Sequence, residues 1–401
     1  MTNDDLWYNP KHSRILKGLF MSEAKKAIIV LAIGLVLITA GCTPVMADEK
    51  DDSTQALLRR EISKNKKTRI VGFPYAYYTP ETELAVGVGG ILTFYTGQEL
   101  ILRPSKITLS GYYSIRDQYK ISLGTQAYFA RNSTFLSVNL NYGQYADKFW
   151  GIGNNTPEIE TEDYVSQAWG INVDFEFIPL LTFIKMDKSG IIYDYYLTNI
   201  LDKKENPFLN SGDMQGSEGG VISGLGFILV KDSRDHIFFP NRGGFNRLKL
   251  IFYRKETGSD FDFNYYELDL RRYLAFKPDH VLATQVFANF VRGGPPFYKL
   301  PALGGGQIMR GYYQGRYRDR SHMAAQAEYR GYFWWRFGFA AFIGVGDVAD
   351  GMEDFKIKYA KVSWGWGLRF KFNQAEKVNL RMDYGIGKNS NGLYFGLEEA
   401  F

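Results

Sequence analysis

The chain has 401 residues, with 48 Lys and Arg against 43 Asp and Glu and a formal net charge of +5. That balance lacks the basic excess of a nucleic-acid binder. A mean hydropathy of −0.25 is too polar for a bundle of membrane helices, whereas 42 Gly, 28 Tyr and 30 Phe among polar residues suit a sheet with one face in lipid and one in water.

Lys25 and Lys26 precede the only long apolar run, 27–41. A spanning helix needs roughly 20 apolar residues, so this run reads as the core of a secretory signal peptide over 1–47, starting at Met21 and cleaved after Ala47. Thr39-Ala40-Gly41-Cys42 resembles a lipoprotein cleavage box, with Thr where a Leu-like residue is usual, so lipidation at Cys42 is the alternative. Cys42 is the single cysteine and excludes an internal disulfide. Residues 48–67 are charged and aperiodic, and read as a solvated periplasmic linker.

From Thr68 to Phe401 the apolar pattern has period two. Leu136, Val138, Leu140 and Tyr142 alternate with Ser137, Asn139 and Asn141; Val378, Leu380, Met382, Tyr384 and Ile386 alternate with Asn379, Arg381, Asp383 and Gly385. Glu267, Asp269 and Arg271 alternate with Leu268 and Leu270, as a lipid-facing exterior around a wet, salt-bridged lumen requires. About sixteen strands are expected, beginning near Thr68, Thr82, Lys106, Tyr119, Thr134, Asp163, Gly190, Gly219, Gly244, Phe261, His280, His322, Phe337, Lys361, Lys377 and Gly392. The fold class is therefore all-β, a transmembrane antiparallel β-barrel. The longest loops (151–162, 201–217, 293–321, 350–359) follow odd-numbered strands, and the short turns at 131–133, 277–279, 334–335 and 373–376 follow even ones, so that with a periplasmic N-terminus the long loops lie outside and the short turns inside, as barrels require. Tyr77, Tyr78, Tyr112, Tyr113, Tyr265, Tyr266, Trp334 and Trp335 read as interface-belt residues. Phe395, Leu397 and Phe401 form a C-terminal assembly signal on a last strand facing lipid, which implies that the cell's barrel assembly machinery inserts the chain.

Leu303-Gly304-Gly305-Gly306-Gln307-Ile308-Met309-Arg310-Gly311-Tyr312 resembles the lumen-inserted loop of the BamA/TamA bacterial surface antigen family. Lys231-Asp232-Ser233-Arg234-Asp235 with Phe239-Pro240-Asn241-Arg242-Gly243 resembles that family's periplasmic turn, carried here by Asp232, Arg234, Asp235, Pro240 and Gly243. The resemblance covers 68–401 and implies a 16-stranded outer-membrane barrel with a Gly-rich loop folded inward before the twelfth strand. It also implies that Arg310 meets acidic residues of the following strands. The first match is Glu328. At the second the chain has Gly344, and Asp347 has the opposite strand parity, so a single Arg310–Glu328 pair is expected. Residues 48–67 leave no room for the POTRA modules of family members that insert or export proteins, so a separate periplasmic POTRA-type partner is implied.

Enzyme readings find little support. His236, His280 and His322 lack metal-ligand spacing, and His12 precedes the expected start. Ser321 and His322 are neighbours and so point to opposite faces of a strand. Gly304-Gly305-Gly306 opens no helix, which argues against a phosphate loop. No cofactor and no metal are expected. Three functions stay open: a barrel that aids insertion or translocation of protein or lipid clients at the outer membrane, a passive pore, and a structural or surface-interaction barrel.

Overall fold

The computed structural model describes residues 68–97, 102–159, 163–178, 186–236, 239–277, 279–373 and 378–401, all within the compact unit Ser63–Phe401. The expected signal peptide, the linker and Cys42 lie outside the described residues.

The strands are β1 (Arg69–Thr79), β2 (Glu83–Phe94), β3 (Ser105–Ser114), β4 (Tyr119–Phe129), β5 (Thr134–Lys148), β6 (Asp163–Phe177), β7 (Lys188–Asp202), β8 (Gly219–Asp232), β9 (Gly243–Tyr253), β10 (Phe263–Lys277), β11 (His280–Gly293), β12 (Ala302–Leu303), β13 (Tyr317–Arg318), β14 (Ser321–Trp334), β15 (Phe337–Ala349), β16 (Lys361–Asn373), β17 (Val378–Gly387) and β18 (Ser390–Leu397). All but β12 and β13 form one 16-stranded sheet in which each strand pairs with the next. Every barrel strand starts within two residues of the position read from the alternation. The twelfth barrel strand is β14. The two-residue strands β12 and β13 form a small ribbon inside the loop that precedes it, and alternation is too short a signal to reveal them.

Alternation sets the faces. On β15, Phe337, Phe339, Ile343 and Val345 are exposed while Ala340, Phe342 and Gly344 are buried. On β16, Val362, Trp364, Trp366 and Leu368 are exposed while Ser363 and Arg369 are buried. Exposed apolar rows of this kind suit lipid, and the sheet leaves its backbone groups paired within the wall. The eight belt aromatics divide by the same rule. Tyr77 packs edge-on against Tyr112 on the inner face, and the Tyr265 hydroxyl donates to lumenal Glu267, so these three are not belt residues. Their neighbours in each pair take the outer face, since consecutive residues cannot share one, and Trp334 and Trp335 are exposed.

The lumen is less wet than expected. Phe149, Tyr164, Ile192, Ile222, Ile251, Phe263 and Phe297 join one apolar cluster contributed by β6 to β11 and the loops above them. The densest ionic part of the interior lies against β14, β16 and β17, and the expected lumenal charges of β10 are paired as well, Glu267 with Arg247 and Asp269 with Arg271.

β1 and β18 stand side by side, but no ladder joins them among the described residues. At this seam the chain also leaves the wall. Glu398 adopts φ 67°, and Ala400 and Phe401 turn inside to pack with Phe239, Tyr273, Val281 and Ala283. Phe401 is therefore buried in the interior, contrary to the expected lipid-facing end. Phe395, still on β18, is exposed.

Candidate functional site: a loop fixed inside the barrel

The connection between β11 and β14 folds back into the lumen. Gly304 and Gly305 adopt φ 109° and 106°, where a side chain would be strained. Main-chain bonds from Gly305 to Tyr312 and from Gly315 to Leu303 close the loop upon itself. Leu303, Met309 and Tyr312 are buried against Ala324 of β14 and Val348 of β15.

Arg310 occupies the centre of the site, with its side chain and both partner carboxylates fully buried. One terminal nitrogen donates to Glu328 on β14 and the other to Asp383 on β17. Its guanidinium carbon lies 3.5 Å above the Phe342 ring of β15. A planar fork can bridge two carboxylates and stack on a ring at once, which an ammonium cannot do. Both carboxylates take further donors. Glu328 accepts from Arg330 at 2.8 Å and from Arg369 at 3.4 Å. Asp383 accepts from Arg369 at 2.5 Å and from Arg381 at 2.8 Å. Four guanidinium groups and two carboxylates thus share one dry volume, where each unpaired charge would be expensive.

The expectation of a single Arg310–Glu328 pair is corrected by Asp383. The second carboxylate comes from β17 rather than β15, so Gly344 does not leave Arg310 short of a partner. Gly344 serves another end: a Cβ there would sit 3.1 Å from the Met309 sulfur, so the bare position accommodates the loop's methionine. Asp347 accepts instead from Asn154 of the β5–β6 loop. Asp383 stood in the polar row of its strand, and alternation gave it an inward direction; only the barrel's closure brings β17 round to Arg310.

The tail joins the same network. Glu399 accepts from Arg369 at 2.8 Å and from Asn379 at 2.7 Å, and Arg330 donates to the main-chain oxygen of Phe401 at 2.8 Å. Toward the other rim, Arg318 reaches Asp147 of β5 at 3.1 Å. Burial works against the charge on Arg318, but Asp147 and Tyr164 outweigh it and hold the guanidinium above its ordinary pKa.

The β8–β9 turn is tied by its own polar side chains. Asp232 accepts from the backbone and guanidinium of Arg234, and Asp235 accepts from the amides of Asn241 and Arg242. Gly243 adopts φ 92°, and a Cβ on it would lie 1.9 Å from the Ser233 carbonyl oxygen. Pro240 is buried beside Phe239, which reaches the Phe401 cluster. Ser321 and His322 do not face one another: the Ser321 hydroxyl donates to the Asp350 carbonyl and the His322 ring bonds Asn289.

A family model described as the Omp85 superfamily domain matches residues 103–401. No curated protein matches the chain in sequence. Among solved structures, the chain is similar to BamA from Haemophilus ducreyi lacking POTRA domains 1–3, with 12% identity, a TM-score of 0.60 and coverage of 90% of this chain and 81% of that one. It is similar to CdiB from Acinetobacter baumannii at 12% identity and TM-score 0.52, covering 88% and 69%. A further match is CdiB from Escherichia coli at 10% identity and TM-score 0.52, covering 82% and 62%. At these identities the likeness establishes the fold.

Proposed function

The chain belongs to the Omp85 superfamily, and from that premise we propose that it aids insertion or translocation of protein or lipid clients at the bacterial outer membrane. The observation that carries the reading is a pairing of opposites within one barrel. The lumen is held together around Arg310, while the β1–β18 junction has no ladder among the described residues. An unpaired strand edge offers main-chain donors and acceptors to an incoming strand, and a fixed interior keeps the wall from collapsing as the junction parts. The family's barrels insert or transport proteins rather than catalyse reactions, which fits this arrangement. We place residues 1–47 as an export signal and 48–67 as a linker, with a separate periplasmic partner of POTRA type delivering clients and outer-membrane lipid around the wall.

A passive pore is disfavoured by the same interior, since the loop and the apolar cluster around Phe149 and Phe297 fill the lumen. A surface-interaction barrel remains the second reading. It draws on the loops between β5 and β6 and between β7 and β8, which the buried Phe149 and Leu209 and the neighbouring Phe208 hold against one another.

The test is purified barrel in liposomes with a small unfolded outer-membrane protein added. Acceleration of client folding over empty liposomes, lost in Arg310→Ala, is the expected result. No acceleration across several clients, with or without POTRA-containing partners, would overturn the reading.

A further inference from the structure

The outer wall carries a notch of about 340 Å³ at the periplasmic ends of β8, β9 and β10, lined by Lys231, Gly244, Asn246, Arg272 and Leu274. β9 stops here while β10 runs on: Gly243 pairs with Tyr273, and Leu274 to Lys277 continue beyond the last β9 partner. Parity puts the notch on the lipid side. Lys231 shares its face with exposed Leu225 and Phe227, and Arg272 shares its face with exposed Leu270, Leu274 and Phe276.

Two cations flank the notch. Lys231 stands opposite Asn246 in the β8–β9 register, and Arg272 stands opposite Gly244 in the β9–β10 register. Their backbones are therefore roughly 12 Å apart by strand spacing and rise. Arg272 lies back across β9, donating to the Asn246 side chain at 2.7 Å. It can do so because position 244 is glycine: a Cβ there would sit 2.3 Å from the donating nitrogen. The acids of the same segments are engaged elsewhere, Asp232 with Arg234 and Asp269 with Arg271. Among the described residues neither Lys231 nor Arg272 makes an ion pair.

We propose that this notch binds the phosphodiester headgroup of one anionic glycerophospholipid of the periplasmic leaflet, with Lys231 and Arg272 flanking the phosphate and Asn246 orienting Arg272. Two unpaired cations on an otherwise apolar outer wall need an anion at the level of the headgroups, and a lipid supplies it with acyl chains that lie along Leu270 and Leu274. The proposal rests on the reading that the barrel spans a membrane. It does not depend on client handling.

The experiment is native mass spectrometry of the full chain released from detergent micelles holding equal phosphatidylglycerol and phosphatidylethanolamine. One phosphatidylglycerol is expected to be retained with a preference of roughly tenfold or more, the scale set by two cations near a lipid surface. Lys231→Ala with Arg272→Ala should abolish the preference, and Lys231→Glu alone should do so without touching β10. Equal retention of the two lipids, or unchanged preference in the variants, overturns the proposal. Displacement by millimolar inorganic phosphate would reassign the site to free phosphate and likewise overturn the lipid assignment. Flotation of the wild-type chain with phosphatidylethanolamine vesicles separates the cases: failure to float overturns the membrane reading and the lipid assignment with it, whereas flotation with equal retention of the two lipids overturns the notch alone.

Discussion

Gly311 and Gly385 lie backbone against backbone: a Cβ on Gly385 would meet the Gly311 nitrogen at 2.6 Å, and a Cβ on Gly311 would meet the main chain of Ile386 at 2.6 Å. The loop therefore rests directly on β17, and the Arg310 side chain leaves from the point of closest approach. Tyr312 extends the contact, its ring over Gly387 and its hydroxyl donating to the Val362 carbonyl at 3.0 Å. Tyr394 of β18 accepts from the Gly311 amide at 3.0 Å, so the loop also touches the last strand.

This contact predicts the sign of a glycine substitution. Gly→Ala in a strand ordinarily gains stability by restricting the unfolded chain. At Gly385 the added methyl must push the loop away, at about 1–3 kcal/mol. Gly72→Ala on β1 is the control, because its Cβ would meet nothing nearer than 3.9 Å. Urea unfolding in micelles should give a lower midpoint for Gly385→Ala and an equal or higher one for Gly72→Ala. Equal midpoints for Gly385→Ala and wild type would show that the loop does not bear on the wall.

The Arg310 network predicts strong coupling. Removing one member of a buried charge pair costs about 3–5 kcal/mol because its partner stays charged and dry. Arg310→Ala and Glu328→Ala should each destabilise, and the double variant should fall short of their sum by about 0.5–3 kcal/mol. Asp383→Asn should show the same coupling to Arg310→Ala. Arg310→Lys should fail to restore stability, since a point charge cannot span both carboxylates. An additive cycle with Asp383 would leave Glu328 as the only functional partner.

Much of this architecture is written in the sequence. Strand starts follow from period-two alternation, and the loop motif from three consecutive glycines before Arg310. What alternation could not supply was closure. Asp383 meets Arg310 across 73 residues, and no local pattern reports which wall a lumenal loop will face. Tyr77, Tyr112 and Tyr265 turn inward, against the belt expectation, because an aromatic pair in the middle of a strand divides between faces. Phe401 departs from the strand pattern because the last three residues follow Glu398, which has positive φ, and period two says nothing once the strand has ended.

Gly344 supplies a prediction that separates geometry from charge. Gly344→Asp would place a carboxylate at the position where the resembling family has one. Here Asp383 already fills that role, and the new side chain meets the Met309 sulfur, the Ser363 hydroxyl and Gln326 within 3.4 Å. Stability should fall, and Met309→Ala in the same chain should recover part of the loss by vacating the space. A stabilised Gly344→Asp barrel would mean that Arg310 can accept a third carboxylate, against the crowding argument.

The inward tail makes the seam's state testable. Glu398 donates its amide to Asn379, Glu399 is drawn to Arg369, and Phe401 sits against Phe239 and Tyr273. These contacts hold the end of β18 away from the first residues of β1, where Ile70 and Val71 are 79% and 55% exposed. Releasing the tail should let β18 swing outward and pair further along β1. Glu399→Gln with Phe401→Ala, refolded from urea into micelles, should therefore slow amide hydrogen exchange at whichever of Ile70 and Val71 turns its N–H toward β18, the other facing β2, while lowering the unfolding midpoint, since a Phe→Ala change in a packed cluster costs about 3–5 kcal/mol. Opposite directions for local protection and global stability are the signature of the tail acting on the seam. Faster exchange at that amide would mean that the tail only stabilises the barrel and has no part in keeping the outer edge of β1 unpaired.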